Sequence, residues 1–185
     1  CWVRLLAGAT MPETAPAETG SPVLDIQAEG SLMLAPEAAL SAYAEAKDNP
    51  SSPGSASFAG TDPARDAWVG LVQRWGEALA PIEGQVGPSS SVDASQTYAM
   101  GTADGGAIVL GTIRSTLTLT IPSAQGRSFT LAAYFAALGA SSTTVTQAAT
   151  IEFVQPIALA IPAKSSGTSI EVLGVSQLPV QATTQ

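Results

Sequence analysis

The sequence predicts an α+β fold in which two helices pack on a long, curved antiparallel sheet of about four strands. In the first half of the chain, apolar residues recur at helical spacing. From residue 96 onward they recur at every second position, as in strands with one buried face. An apolar helix face and an apolar sheet face bury each other when they pack together. We therefore expect an α+β roll or cone.

Both predicted helices begin at a proline. The first begins at Pro36 and ends near Lys47. The second has Asp62 as its N-cap and Pro63 as its first residue, and it ends before Pro81. Its apolar face is spaced at i, i+3, i+4, i+7 and i+11, and it consists of Trp68, Leu71, Val72, Trp75 and Leu79. This face predicts packing against the sheet.

The strands of the sheet follow in the second half. Residues 96–102 and 107–121 flank Asp104-Gly105-Gly106, which is typical of a hairpin turn. Gly111 predicts a bulge or bend in the second arm. After a helical turn near 131–138, residues 143–163 and 169–180 form the last two predicted strands.

Three further expectations concern local structure and the core. Pro156 predicts a sheet edge or a bulge, residues 81–95 a loop, and residues 181–185 a frayed end. One contiguous core is expected to contain Trp68, Leu71, Val72, Trp75, Ile113, Leu117, Leu119, Ile151, Phe153, Ile157 and Leu159.

The first 22 residues differ in composition from the rest. Residues 1–10 are interpreted as a remnant strand of an upstream domain or a lipoprotein N-terminus, residues 11–22 as a proline-rich linker, and residues 23–185 as the α+β domain. Cys1 is then the edge of a longer protein, a lipidated first residue, or a residue upstream of a start at Met11. If it is an edge, residues 2–6 are an orphan strand, and a chain beginning at Ser21 keeps its stability.

Composition narrows the possible functions. The chain has a net charge of −8, one cysteine and no histidine. The seven cations are scattered, so no basic stripe predicts nucleic-acid binding. A single cysteine without histidine predicts neither a zinc site nor a Ser/His/Asp triad. No catalytic, cofactor or metal residues are predicted.

The segments WVRLLAGATMP, SLMLAPEAALSAYAEA, FAGTDPARDAW, TADGGAIVLGTI and IALAIPAKSSGTSIEVLG, in this order, resemble the C-terminal part of an uncharacterised family. Its members are actinobacterial exported lipoproteins that carry a domain of unknown function. The resemblance implies an extracytoplasmic, membrane-anchored protein with its lipid upstream. It also implies an NTF2-like fold and envelope or membrane-complex proteins as partners.

One group of polar residues is a candidate surface or pocket lining: Arg114, Thr116, Thr118 and Glu152, which share the polar face of the two long strands. These residues also fit a solvated face with an Arg–Glu cross-strand pair. Three functions are open. A non-catalytic binding or scaffold domain is favoured over a small-molecule or enzymatic NTF2-like pocket and over a structural spacer rich in Ser and Thr.

Overall fold

The computed structural model describes residues 3–16, 18–59, 62–122 and 126–185. Within these residues the helices are α1 (Pro36–Asp48) and α2 (Pro63–Leu79), and the strands are β1 (Gln85–Val92), β2 (Tyr98–Gly101), β3 (Ala107–Thr120), β4 (Phe129–Thr130), β5 (Thr144–Val145), β6 (Ala148–Ile161), β7 (Glu171–Val175) and β8 (Leu178–Thr184). A short 3-10 helix, Ala133–Leu138, lies where the sequence predicts a helical turn.

The main sheet is built on the two longest strands. β3 and β6 pair antiparallel along all 14 residues of each strand. β1 and β2 both pair with the other edge of β3, whereas β7 and β8 both pair with the other edge of β6. The α+β prediction with an antiparallel sheet is confirmed. The sheet has six strands rather than about four, and β4 and β5 form a separate two-stranded sheet.

The helices cover one face of this sheet, which we call the inner face. The opposite face, the outer face, carries the even-numbered residues of β3 and β6. The inward side chains form two apolar clusters rather than the single core that the sequence predicts. Tyr43 and Leu40 of α1 pack with Ile113 and Ile157 in the first cluster, and Trp68 of α2 packs with the second.

The second cluster contains most of the predicted core. Its buried members include Trp68, Leu117, Leu119, Ile151 and Phe153, and Leu71, Val72 and Trp75 pack against it while partly buried. The ring of Trp68 meets that of Phe153 edge to face at 5.5 Å. The predicted inward orientation of the α2 face is therefore confirmed.

The first residues of α2 follow the sequence prediction. Oδ1 of Asp62 accepts hydrogen bonds from the backbone nitrogens of Ala64 (3.0 Å) and Arg65 (3.2 Å). These nitrogens have no partner inside the helix, so the Asp62 carboxylate stabilises the first turn.

Gly111 has a different role from the predicted bend. It pairs in regular register with Ile157, and no bulge interrupts β3 there. A Cβ atom at Gly111 would lie 2.4 Å from Cδ1 of Leu40. Glycine therefore permits the close approach of α1 to the sheet, and the prediction of a bulge is wrong.

Pro156 lies in a central strand, which corrects the predicted edge or bulge at this residue. Its carbonyl accepts a hydrogen bond from the nitrogen of Ser176, which lies between β7 and β8. The backbone nitrogen of a strand residue points to the same side as its carbonyl. Pro156 has no N–H group to donate, and its nitrogen faces the interval along β6 between the residues that pair with β8 and those that pair with β7. The hydrogen bonds between β6 and β3 therefore stay intact.

Two segments predicted as irregular are strands. Residues 85–92 form β1, although the sequence predicts a loop there. The predicted frayed end belongs to β8, and the nitrogen of Gln185 donates to the carbonyl of Ala148 at 2.8 Å. In both cases pairing with β3 or β6 overrides weak local propensity.

The N-terminal residues wrap around the sheet. We call residues 3–16 and 18–24 the N-terminal strap. At the β7 edge, the nitrogen of Leu6 donates to the carbonyl of Leu173 (2.9 Å), and that of Val175 donates to the carbonyl of Arg4 (3.0 Å). The orphan strand expected from the sequence is therefore wrong for the described residues 3–6.

The strap then reaches the opposite edge of the sheet at β2. There the nitrogen of Ala103 donates to the carbonyl of Glu13, and that of Gly101 donates to the carbonyl of Pro22, both at 2.9 Å. Between the two edges, Val3 and Ala9 pack on the outer face against a buried group of Ile108, Ala158 and Leu173. The expected absence of contacts for 11–22 is wrong, while the division into domains stays a prediction.

We predict that a chain beginning at Ser21 is less stable than the full chain by about 3–6 kcal/mol. Two large side chains, Ile108 and Leu173, lose their cover, and each contributes about 1.5–3 kcal/mol when buried. Chemical denaturation of both proteins measures this difference. Unchanged stability of the shorter protein would contradict the strap's structural role.

A point variant tests the same contact. A Cβ atom at Gly174 would lie 2.6 Å from the carbonyl oxygen of Arg4, so Gly174→Ala should displace the strap and destabilise the protein. Gly76→Ala is the control, because a Cβ atom there, in the last turn of α2, meets nothing within 4 Å. The control should be stabilised by about 0.5–1 kcal/mol.

We predict that Gly111→Ala destabilises the protein by about 1–3 kcal/mol, the usual range for an overpacked core. Leu40→Ala alone should also destabilise, but adding it to Gly111→Ala should recover part of the loss because it removes the clash. A double-mutant cycle by denaturant unfolding measures this coupling. Strict additivity of the two substitutions would contradict the proposed contact.

Candidate functional site

A buried lysine lies between the two apolar clusters. Lys47 occupies the last turn of α1, and only 1% of its surface is exposed. Its Nζ donates hydrogen bonds to Oγ of Ser115 on β3 and to Oε1 of Gln155 on β6. The same nitrogen lies 4.1 Å from the ring centroid of Trp68 on α2. One ammonium group therefore joins both helices to both central strands.

The remaining polar atoms around Lys47 also bond to each other. Oγ of Ser115 donates to Oε1 of Gln155 at 2.8 Å. Oγ of Ser90 on β1 lies 3.0 Å from Oγ of Ser115 and donates to Oδ1 of Asp48 at 2.9 Å. We call this set, with Trp68, the Lys47 cluster.

Asp48 links the cluster to α2. Its Oδ1 atom also accepts a hydrogen bond from Nε1 of Trp68 at 3.2 Å. On the sheet side, Nε2 of Gln155 donates to Oε1 of Gln177 at 2.9 Å, so the network extends to the turn between β7 and β8. The polar groups of the cluster thus find their partners within the fold, as buried polar groups require.

Burial perturbs the acid–base properties of Lys47. Desolvation lowers its pKa from the usual 10.5 to about 8, and the nearby negative charge of Asp48 acts in the opposite direction. Burial disfavours the charged form of a lysine, because the interior solvates an ammonium group less well than water does. A buried lysine with a lowered pKa is a common feature of functional sites and also of structural networks.

The sequence contains a signal for this cluster. Ser115 and Gln155 occupy inward positions of β3 and β6, where the alternation otherwise places apolar residues. Two polar residues at such positions on adjacent strands, facing the Lys47 end of α1, indicate a buried polar contact. In the helical pattern, Lys47 is only the end of a helix, and no local pattern connects it to the sheet.

A groove lies beside the cluster, between α1 and β1. Its volume is about 500 Å³, and its lining includes Glu45, Asp48, Asn49 and Ser90. Half-buried Ser90 is therefore the hydroxyl of the Lys47 cluster that borders the groove. A serine hydroxyl that reaches a lysine through a second hydroxyl can serve as a nucleophile when the lysine is neutral. In the arrangement described here, however, the hydroxyl of Ser90 donates to the carboxylate of Asp48.

The residues predicted from the sequence lie on the outer face of the sheet, whereas the hydroxyl of Ser90 faces the Lys47 cluster. Arg114 forms an ion pair with Asp93 at 3.2 Å, and its side chain is mostly exposed. A hydrogen bond from Ser95, followed by the interaction with Arg114, holds the pKa of Asp93 below its usual value. Arg114 thus pairs with Asp93, and not with a glutamate on a neighbouring strand as the sequence suggested.

The other predicted residues are neighbours in the sheet. Thr116 lies directly opposite Glu152, and Thr118 lies opposite Thr150. Thr116 and Thr118 are half-buried and Glu152 is exposed. The structure therefore places them on one open, polar surface.

A second concave surface, which the sequence pattern does not predict, interrupts the outer face. We call it the outer depression. Its volume is about 440 Å³, and its lining consists of Val3, Gln96, Tyr98, Leu110, Gly111, Thr112, Pro156 and Ile157. Tyr98 is 66% exposed and Leu110 is 46% exposed, and the two residues pair across β2 and β3. Large exposed apolar side chains beside a concavity are typical of binding surfaces.

The Asp104-Gly105-Gly106 segment is a turn, as its composition predicts. Gly105 adopts a φ of +82°, which glycine tolerates without strain. A hydrogen bond from Thr102, followed by one from the backbone of Gly106, lowers the pKa of Asp104. These contacts account for the motif within the hairpin itself.

Cys1, considered above as a lipid attachment site, lies outside the described residues. Among residues 3–16, 18–59, 62–122 and 126–185, no helix combines the length and the hydropathy needed to cross a membrane. The same residues contain no group of three or more Cys, Asp or Glu side chains arranged to hold a metal ion.

Comparison with known proteins finds no matching protein-family model, no similar curated protein and no similar solved structure.

We predict that the stability of the protein rises with pH because of Lys47. Between the native pKa near 8 and the unfolded value of 10.5, the unfolded state binds more protons than the native state. The free energy of unfolding therefore increases as pH rises through this window, and the gain is lost again as pH falls through 8. From pH 7 to 9.5 the increase should be about 2 kcal/mol, at 1.36 kcal/mol per pKa unit.

Lys47→Met is the matched variant, since methionine keeps a long unbranched side chain and removes the charge. In this variant the rise in stability between pH 7 and 9.5 that Lys47 causes should be absent. Ser115 and Gln155 can still bond to each other. The window stops at pH 9.5 because burial, with the charge of Asp62, raises the pKa of Tyr43. Tyr43 therefore begins to oppose folding above its unfolded pKa of about 10. Equal pH slopes for the two proteins would contradict the assignment.

Proposed function

We propose that this chain is a non-catalytic extracytoplasmic binding or scaffold domain of a membrane-anchored lipoprotein. The observation that carries the non-catalytic part is the saturation of Lys47. Its Nζ atom donates hydrogen bonds to Ser115 and Gln155, and it also faces the ring of Trp68. The ammonium group is thus committed to holding α1 and α2 on the sheet.

The binding part of the proposal is supported by the outer face. There, Tyr98 and Leu110 stay exposed beside the outer depression, whereas the inward apolar residues are closed beneath the helices. Exposing an aromatic ring and a leucine side by side gives up the stabilisation that their burial would provide. A surface of this kind is favourable when a ligand covers it.

The location and the anchor rest on the segment resemblance described above. We infer that the lipid lies upstream, that the domain faces the cell envelope, and that envelope components are its partners. The two-helix, six-strand architecture supports an NTF2-like assignment in its coarse outline. Mass spectrometry of the native protein for a diacylglycerol thioether, together with protease accessibility on intact cells, tests the anchor and the location.

A specific observation favours a second candidate, a small-molecule or enzymatic pocket domain. Ser90 lines the groove beside α1 and reaches Lys47 through Ser115. A nucleophile at Ser90 would react with a fluorophosphonate more readily as pH rises from 7 to 9, because Lys47 loses its proton there. We expect no adduct on intact-mass analysis. An adduct that is lost in Ser90→Ala would favour the enzymatic function instead.

We predict that a photo-crosslinker at position 98 captures an envelope component in cells, because Tyr98 projects from the proposed binding surface. Tyr98→p-benzoylphenylalanine is compared with Ala78→p-benzoylphenylalanine, which places the same group on an exposed position of α2. Defined adducts should form at position 98 and not at position 78. Equal or absent adducts at both positions would contradict binding through the outer face.

A further inference from the structure

The outer depression has a floor and two walls of different chemistry. Leu110 and Thr112 of β3 and Pro156 of β6 form the floor. Tyr98 and Gln96 stand on the β2 side, and Val3 of the strap stands on the opposite side. Because the floor belongs to the two central strands, its geometry is rigid. The site is thus largely preformed, as small-ligand sites usually are.

The lining is uncharged and mixes apolar with hydrogen-bonding groups. The hydroxyl of Thr112 donates to Oε1 of Gln96 at 3.3 Å, and the Tyr98 side chain is exposed on the strand beside Leu110. The nearest charged pair along β3, Arg114 and Asp93, is neutralised internally. An anionic ligand would find no free cation among these lining residues. A neutral ligand with one apolar face and a polar rim matches both kinds of group.

A pyranose ring has this chemistry. One face of the ring presents C–H groups, which pack against an aromatic ring, and its edge presents hydroxyl groups. Tyrosine suits such a ligand, since it combines an apolar face with a hydroxyl group. The side-chain amide of glutamine provides donors and an acceptor for sugar hydroxyls.

Beyond Arg114, which is paired with Asp93, the outer face of β3 again carries hydroxyl groups. Thr116, Thr118 and Thr120 follow on the outer face at every second residue, a spacing of about 6.6–6.8 Å. Ser89 of β1 lies beside Thr116, and Thr150 of β6 lies beside Thr118. An elongated ligand seated on Tyr98 would therefore meet further hydroxyl groups along the strand.

We propose that the outer depression binds one pyranose unit of an uncharged envelope glycan, stacked on Tyr98, and that the next units lie along the threonine side of β3. This inference rests on the proposed binding function and names its ligand class. Tyr98 and Leu110 supply apolar contact, whereas exposed Gln96, held by the hydroxyl of buried Thr112, supplies hydrogen bonds.

Chitohexaose and cellohexaose serve as neutral probes, and a hexamer of galacturonic acid serves as the charged control. Isothermal titration and NMR shift mapping should show saturable binding of at least one neutral hexasaccharide and much weaker binding of the acid. Tyr98→Ala should weaken binding at least tenfold. Tyr98→Phe should keep binding within about threefold, because it retains the ring.

Val23→Ala is the control substitution, as Val23 is 89% exposed and lies outside the depression. It should leave affinity unchanged, and thermal unfolding should confirm that all variants are folded. Absence of binding by both neutral probes at 10 mM, or binding that Tyr98→Ala leaves unchanged, would overturn the glycan assignment. If position 98 then still crosslinks to an envelope protein, the binding function stands and only the ligand class is wrong.

Discussion

The structure depends on the burial of one ammonium group at the end of α1. Removing a charge from water costs several kcal/mol unless nearby groups replace the lost hydration. Here Ser115, Gln155 and the ring of Trp68 surround Lys47 on three sides. These groups come from β3, β6 and α2, so the buried ammonium group has all of these partners only when both helices are docked on the sheet. The cluster therefore favours one relative position of α1 and α2 over others that would bury similar apolar area.

The Lys47 cluster also explains why the interior is divided. A continuous core would place apolar side chains at positions 115 and 155, as the alternation in both strands suggests. Polar residues at these positions instead separate the cluster beneath α1 from that beneath α2. Each apolar cluster is packed by its own helix, and the Lys47 cluster connects the two by hydrogen bonds and the contact with Trp68.

Much of the fold could be predicted from periodicity, since local patterns determine which residues face the core. The apolar face of α2, the hairpin at Gly105 and the long strands followed directly from it. The errors arose where a distant residue sets the local structure. Gly111 is a glycine because Leu40 approaches it, and Pro156 is tolerated because two strands meet beside it. β1 has little strand propensity of its own and is ordered by its pairing with β3.

The candidate sites were harder to predict for the same reason. Lys47 and Gln155 are 108 residues apart, and no local pattern links them. The predicted outer-face residues share one face of the sheet, but the depression at its end needs Tyr98 from β2 and Val3 from the strap. Concave sites assembled from separate segments leave only weak traces in a single sequence.

The strap connects the stability of the fold with its proposed binding surface. Its residues close the β7 and β2 edges, which would otherwise present unpaired backbone groups to other chains. Val3 also builds one wall of the outer depression, so the segment that protects the sheet shapes the surface offered to a ligand. Inside the protein, by contrast, the polar groups of the Lys47 cluster bond to one another. With the inner face closed by the helices, the exposed ring of Tyr98 at the end of a rigid pair of strands is the feature best placed to bind another molecule.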